Sequence, residues 1–392
     1  MKTETENPAR ARHPAGGRGT ILALAFALMF GGVATAVGKE MESEEQGDRA
    51  REGFNHKGNV LIADQFNNRV IEVGPDGGIV WSFGLGPKDF TEKSVIGCND
   101  AERIGRFTLM AGTGTPAGVI PESPAGAPDN RVLIVDEAGK VIWQYGQFGQ
   151  TGNGPNLLNT PVQCTLVPRM HVMITDQGNN RVIEVSPKKE IVWQYPGTNT
   201  TPGDQLSSPN SAELLENGHI LIADENNNRA IEVDRQDKVV GTFTAGGTVG
   251  TVAFASRLPN GHTLLTDASH ARIVEVDDKD SVVWTYATNT DPLSIPAPQP
   301  TRAVRLKNGD TLISDQFNNR VIRVDATGKI VASFGLPLAG GTGPIGANSG
   351  YDLKSAQKGL YAPYDAKVIG DYTGLTRPRD LDEDDDDEHG DD

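Results

Sequence analysis

All four tryptophans of the chain, Trp81, Trp143, Trp193 and Trp284, stand at the same place in one recurring phrase. Its fullest copy runs Leu61-Ile62-Ala63-Asp64-Gln65-Phe66-Asn67-Asn68-Arg69-Val70-Ile71-Glu72-Val73, then a turn, then Ile79-Val80-Trp81-Ser82-Phe83-Gly84. A chain made of copies of one unit buries each unit against a neighbour like itself, so the repeat fixes the architecture before composition is considered. The phrase returns with its aspartate at Asp176, Asp224, Asp267 and Asp315, at intervals of about 45 residues, which suits a propeller blade. Within each copy β-branched runs alternate with Asn, Asp and Gly turns and no stretch keeps a helical period, so every element reads as strand.

Ahead of each aspartate lies a further strand that opens on proline and meets a small residue three positions later: Pro161 and Cys164, Pro209 and Ala212, Pro300 and Ala303, with Ala255 in the same place without the proline. Proline lacks an N–H and suits a strand's first residue. This is the innermost strand, where blades converge and only small side chains fit. The long interval between Asp64 and Asp176 holds a degenerate copy: Asn99, Asp100 and Ala101 open its inner strand, Thr108 to Ala111 form the next, and Gly112 replaces the aspartate. A Gly/Pro-rich excursion from Thr113 to Pro128 follows, then Asp129 to Asp136 and Gly139 to Tyr145. The N-terminal copy lacks an inner strand, and Leu360 to Val368 repeats the missing Leu-x-x-Pro-x-x-small pattern. The fold expected is all-β: a six-bladed β-propeller of four-stranded antiparallel blades, closed by a C-terminal inner strand that completes the first blade. Phe83, Tyr145, Tyr195, Phe243, Tyr286 and Phe334, two residues after the tryptophan position, read as core filling between radiating sheets.

The domain reading follows: a signal peptide or membrane anchor over 1–38, a linker over 39–53, the propeller over 54–374 and an acidic tail over 375–392. Thr20 to Gly38 is uncharged and apolar, follows Arg10, Arg12 and Arg18, and ends near Ala34-Thr35-Ala36, as a cleaved secretory signal does. Left uncut it is about long enough to span a bilayer. Either case places the propeller outside the cytoplasm, with a membrane engaged only through this segment. The net charge of −16 owes ten acids to 380–392, a run expected to stay solvated. So acidic a chain lacks the basic face that nucleic acid requires. Cys98 and Cys164 open inner strands of neighbouring blades and read either as a disulfide in an oxidising compartment or as two buried thiols.

These residues resemble an NHL-repeat propeller, whose unit pairs a Gly-rich lead-in loop, a proline-started inner strand and a phrase similar to Ile222-Ala223-Asp224-Glu225-Asn226-Asn227-Asn228-Arg229. The lead-in loop stands here as Gly149, Gly152, Gly154, Leu158 and Pro161. The resemblance spans Phe54 to Gly374 and implies the fold, not an activity. The outer phrase Gly139-Lys140-Val141-Ile142-Trp143 also resembles quinoprotein-like and arylsulfotransferase-like propellers, without residues that would bring their chemistry.

Asp64, Asn68 and Arg69 recur as Asp176, Asn180 and Arg181, as Asp224, Asn228 and Arg229, and as Asp315, Asn319 and Arg320. Reaction centres are asymmetric, whereas this set repeats in each clear blade, so it reads as turn structure: the Asp accepts backbone N–H groups, the Asn adopts the left-handed conformation and the Arg reaches the carboxylate. His171, His219 and His262 share one position on successive blades and read as separate surface turn residues rather than ligands of one zinc. No loop of the D-x-D-x-D-G kind, no G-x-S-x-G, no H-E-x-x-H and no Walker loop occurs. The catalytic reading stays open, with His270, which replaces a turn asparagine, as the one candidate. Inner-strand starts converge at the channel mouth, which makes Asn99, Asp100, Gln163, Asn210, Ser211, Arg302 and Asp365 the candidate ligand site. No cofactor is expected and no metal is assigned; a divalent cation in the channel would take Asp100 and Asp365 as ligands. The leading function is an extracytoplasmic scaffold that binds a protein, glycan or small ligand through its loop face and channel mouth. The alternatives are a metal-assisted lyase or hydrolase at the mouth and a structural envelope component.

Overall fold

The computed structural model describes residues 53–335 and 359–377. The apolar N-terminal stretch, its linker and the acid run at 380–392 lie outside the described residues. Among those described, twenty-four strands form six four-stranded antiparallel sheets, joined by short turns and without an α-helix. The innermost strands are Cys98–Ile104, Pro161–Val167, Pro209–Leu214, Val252–Arg257, Arg302–Arg305 and Pro363–Val368. The last of these completes the first blade, pairing antiparallel to Val60–Asp64, with Arg69–Val73 and Ile79–Phe83 outside it. Leu375 and Thr376, placed in the tail by the sequence reading, belong to the folded body: Leu375 packs against the first and sixth blades, and Thr376 is buried.

The small residues meet where expected. Ala101, Cys164, Ala212, Ala255, Ala303 and Ala366 are all buried on the inner strands. Between blades, aliphatic side chains of facing sheets interdigitate, as Leu221 and Ala223 do with Leu265 and Val274; each such burial stabilises by about 1.5–3 kcal/mol for a large side chain. Phe83, Tyr145, Tyr195 and Phe243 are buried and Tyr286 and Phe334 half-buried, all in the wedges between blades. Three of the four recurring tryptophans, Trp81, Trp143 and Trp284, also tie a blade to the next blade's outermost turn. Trp81 Nε1 donates to the Glu137 carbonyl at 2.8 Å and Trp143 Nε1 to that of Pro187 at 3.3 Å.

The turn phrase is a joint between blades. In the clear blades a three-residue 3₁₀ turn after the aspartate ends on a left-handed residue, at φ 49° for Asn68 and 55° for Asn228, and so brings Asp64 directly opposite Arg69 and Asp224 opposite Arg229. Arg69 Nε then donates to Asp64 Oδ2 at 2.7 Å, and the same pair closes at 2.8 Å between Arg229 and Asp224. The other oxygen of Asp64 accepts the Tyr361 N–H at 2.8 Å, and that of Asp224 the Ser207 N–H at 2.8 Å, fixing the loop that leads into the blade's own inner strand. The left-handed asparagine reaches the neighbouring blade: Asn68 Oδ1 accepts from Gly97 N, Asn130 Oδ1 from Thr160 N, Asn180 Oδ1 from Ser208 N and Asn319 Oδ1 from Ala362 N, at 2.8–3.0 Å. The preceding residue, not this asparagine, bonds the aspartate, as Asn67 does to Asp64 at 2.8 Å.

The degenerate second blade keeps the joint by moving its carboxylate. A Cβ on Gly112 would stand 2.5 Å from Asp129 Cγ, so the Asp129 carboxylate occupies the space an aspartate at 112 would fill. It binds Arg131 Nε at 2.5 Å and accepts the Ile96 N–H at 2.7 Å. Burial nonetheless pushes the Asp129 carboxyl above its ordinary range. Asp129→Ala is expected to cost about 3 kcal/mol, because it strands a buried guanidinium. Returning the group as Gly112→Asp in that background should recover at least half of the loss in urea denaturation; no recovery would show that the two positions are not interchangeable.

Candidate functional site

Three polar tiers run along the ring axis. At the face carrying the turn phrases, the polar residue after four of the blade aspartates joins a set of side chains that includes the inner-strand starts. Gln65 Nε2 donates to Asn99 Oδ1 at 2.8 Å and Gln316 Nε2 to Gln65 Oε1 at 2.8 Å. Asn210 Nδ2 donates to Glu225 Oε2 at 2.7 Å and bonds the Tyr364 hydroxyl at 2.8 Å, while Gln177 Nε2 reaches the same Glu225 oxygen at 3.1 Å. Burial raises the Glu225 carboxyl above its usual range. Gln65, Gln177, Glu225 and Gln316 were missed in the sequence, although the variable residue directly after a fixed aspartate was their signal.

The middle tier is a buried ionic hub. The inner strands turn alternate residues to the axis, which brings together Asp100, Asp365, Gln163, Ser211, Arg302 and Phe254, then Lys367, Glu102, Thr165 and Glu213. Lys367 Nζ lies 2.7 Å from Asp100 Oδ1 and 2.6 Å from Asp365 Oδ2, and also donates to the Ala101 carbonyl at 2.9 Å. Arg302 sits 3.2 Å from Asp100 and 3.0 Å from Asp365, its guanidinium 4.3 Å above the Phe254 ring. Gln163 donates to Glu213 at 2.8 Å, and Ser211 Oγ accepts the Ala255 N–H at 3.2 Å. Burial pushes Asp100 up; it pushes Asp365 up as well, but Lys367 and Arg302 hold that carboxyl below its ordinary range. Asp100 and Asp365 carry Lys367 upward against the pull of burial.

The seven sequence candidates therefore converge, but as a buried network. Asn99, Asp100, Gln163, Asn210, Ser211, Arg302 and Asp365 are all buried, where a mouth open to water would leave them exposed. The ammonium of Lys367 stands where a cation bridging Asp100 and Asp365 would sit, and among the described residues no group of three His, Cys, Asp or Glu side chains is placed to hold an ion. The hub does not fit a divalent metal, and no step is routed through one. Cys98 and Cys164 are free, buried thiols beside Asp100: Cys98 Sγ donates to the Asp100 carbonyl at 3.4 Å, and Cys164 Sγ lies 3.7 Å from its carboxylate. Burial raises both thiols well above the ordinary range. His270 fills the turn-asparagine position, its Nδ1 2.9 Å from Asp267 Oδ2, and does for that turn what Asn67 does for its own.

The third tier is the opposite face. Here His171, His219 and His262 are half-buried couplers rather than free turn residues. Each Nδ1 lies 2.7 Å from a third-strand glutamate, Glu184, Glu232 and Glu275 respectively. The second oxygen of each glutamate meets an arginine of the next blade: Arg235, Arg257 at 2.8 Å and Arg305 at 3.0 Å. Each arginine lies about 5 Å over an aromatic ring, those of Trp193, Phe243 and Trp284. Asn59, Glu72, Arg103 and Trp81 build the same device between the first and second blades. The glutamate of the Val-Ile-Glu-Val phrase was the overlooked signal.

This face holds a groove of about 1530 Å³. Residues 370–377 cross it after the closing strand. Thr376 anchors them, donating through N and Oγ1 to Glu213 Oε2 at 2.6 Å each and accepting from Leu214 N at 2.8 Å. Around them the groove presents Lys57, Arg169, Lys307 and Arg377, all exposed. Of the lining acids, Glu184, Glu213 and Glu232 are bonded as described, Asp371 accepts the Lys307 N–H at 2.8 Å, and Glu216 is exposed. Trp193 and the exposed Val192 add an apolar wall.

No family model and no curated protein matches the chain. Solved structures do. A protein of unknown function from Bacteroides caccae is 15% identical over 71% of this chain and 93% of its own, with a TM-score of 0.49. A streptogramin B lyase is 13% identical over 74% of this chain and 81% of its own, with a TM-score of 0.48. Virginiamycin B lyase from Staphylococcus aureus is 14% identical over 60% and 69%, with a TM-score of 0.41. No residue role is carried across these likenesses.

Glu102 gives the hub a pH signature. Burial raises its carboxyl from 4.5 to about 8 while Thr165 Oγ1 and Leu166 N donate to it at 3.0 and 3.1 Å. The native state thus holds a proton that the unfolded chain releases, so this group's stabilisation is complete below the unfolded value and is lost as pH rises through about 8. Between those values stability should fall by up to about 1.4 kcal/mol per pH unit from this group. Glu102→Gln, which keeps the neutral shape, should flatten the fall of Tm between pH 6 and about 8; an unchanged slope would remove Glu102 as its source.

Proposed function

We propose that the protein is a binding module that holds an acidic, extended polypeptide in the groove opposite its turn phrases. One observation carries this reading. Lys57, Arg169, Lys307 and Arg377 are exposed around one groove, and among the described residues none is joined to an acid side chain by an ion pair. The channel mouth, by contrast, bonds its amides and acids to one another, and the hub bonds its carboxylates to Lys367 and Arg302. Both are largely buried away from solvent, the hub's Arg302 Nη1 included, although that atom has no hydrogen-bond partner. The groove leaves its four cations exposed, and its apolar wall at Val192 and Trp193 suits the side chains of a peptide laid along it.

The apolar segment before Gly38 supports work outside the cytoplasm, where an open groove on a rigid ring would meet its partner directly. A lyase or hydrolase centred on Asp100 and Asp365 has Lys367 in its way, and His270 is committed to a turn.

The reading is tested with poly-L-glutamate as the probe, following the fluorescence of Trp193 at low ionic strength. Arg169→Glu together with Lys307→Glu is expected to weaken binding at least about tenfold and to flatten its salt dependence, since both cations act through screened charge. Equal binding by the natural chain and the variant, or binding of poly-L-lysine in preference, would refute it.

A further inference from the structure

The groove lies at the root of the chain's own acid run. Residue Arg377 ends the described chain within the groove lining, and Asp380, Asp382, Glu383, Asp384, Asp385, Asp386, Asp387 and Glu388 follow almost at once. The fifteen residues from 378 onward can span about 50 Å when extended, ample to pass every cation of the groove. Thr376, held by Glu213 and Leu214, fixes where that segment starts. A segment tethered so closely acts at an effective concentration in the millimolar range.

We infer that residues 378–392 occupy the groove as an internal competitor, so that the acidic partner must displace the chain's own acids. The inference rests on the reading of the groove as a site for acidic polypeptide. Its chemistry is that of the partner: carboxylates against Arg169, Lys307 and Lys57, with no covalent step. The charge distribution agrees. The acid run carries ten of the chain's 52 acids, in a protein whose net charge is −16, and follows a groove whose four exposed cations make no ion pair among the described residues. Elsewhere on the same face the arginines already hold their glutamates, as Arg257 holds Glu232 at 2.8 Å, which leaves these four for the segment.

The experiment uses the full chain and a full-length variant in which the ten acids of 380–392 are Asn or Gln. Carbodiimide, which joins only carboxylates and amines in contact, should cross-link the acid run of the full chain to Lys57 or Lys307 within one molecule. The yield should be independent of protein concentration and abolished in 0.5 M salt, roughly three times physiological strength. The neutral variant should bind poly-L-glutamate at least about tenfold more tightly than the full chain. Absent cross-links together with equal poly-L-glutamate affinity would overturn the internal competitor and leave the binding reading standing. Cross-links in the full chain with no poly-L-glutamate binding by the neutral variant would do the reverse, sustaining the internal contact and removing the partner site. Cross-links only between molecules would also overturn the inference.

Discussion

The ring is hung on one kind of interaction, a buried carboxylate where each blade's second strand turns into its third, supplied by the end of the second strand in five blades and by Asp129 in the other. A carboxylate taken out of water is costly unless every lone pair finds a donor. Here one oxygen takes the arginine five residues on, as Asp64 takes Arg69, and the other takes a backbone N–H of the loop leading to the innermost strand, as Asp64 takes that of Tyr361. The turn, the strand crossing and the lead-in loop are thereby fixed by a single group. Burial still raises Asp176, and raises Asp315 to about 6, so the joint holds against a standing desolvation penalty. Asp315 carries that penalty most plainly, because its Oδ2 takes Arg320 and Asn318 while its buried Oδ1 has no hydrogen-bond partner.

The hub follows a different logic. Buried ion pairs rarely stabilise a fold more than apolar packing of the same volume would. What this one sets is register. Asp365 and Lys367 belong to the closing strand, Asp100 to the second blade and Arg302 to the sixth, so the charges cancel only when that strand lies in place between its two neighbours. A slip of one residue would turn Asp365 and Lys367 away from the axis and leave Arg302 and Asp100 uncompensated. The amide ring above it and the His-Glu-Arg couplers below it extend the same principle, side chains of one blade completing the valence of the next.

Blade number, strand order and the inner-strand small residues were legible because each is a periodic property of the sequence, repeated often enough to survive one degenerate copy. The seven channel residues were legible as a group, since inner-strand starts must converge, but their state was not. Whether Asp100 faces water or Lys367 depends on the fifth position of a strand far away in sequence, and no local pattern announces that pairing. Asp129 was hidden for a related reason: space vacated by Gly112 was filled from across the excursion, and only geometry shows that the two positions share one volume. The histidines were legible as equivalent to one another and misread as solitary, because their partner glutamates lie on the adjacent strand thirteen residues on, and the arginines on the next blade.

The order of synthesis gives the closing strand a further meaning. Until Pro363–Val368 has emerged, Val60–Asp64 has no partner along its inner edge, and the arginine of the sixth blade has no counter-charge from the first. A nascent chain must therefore carry an unpaired β-edge through the making of five further sheets, the condition under which strands of different chains find each other. Stalled or clipped products would be the sticky ones, and cellular quality control would have one late event to monitor.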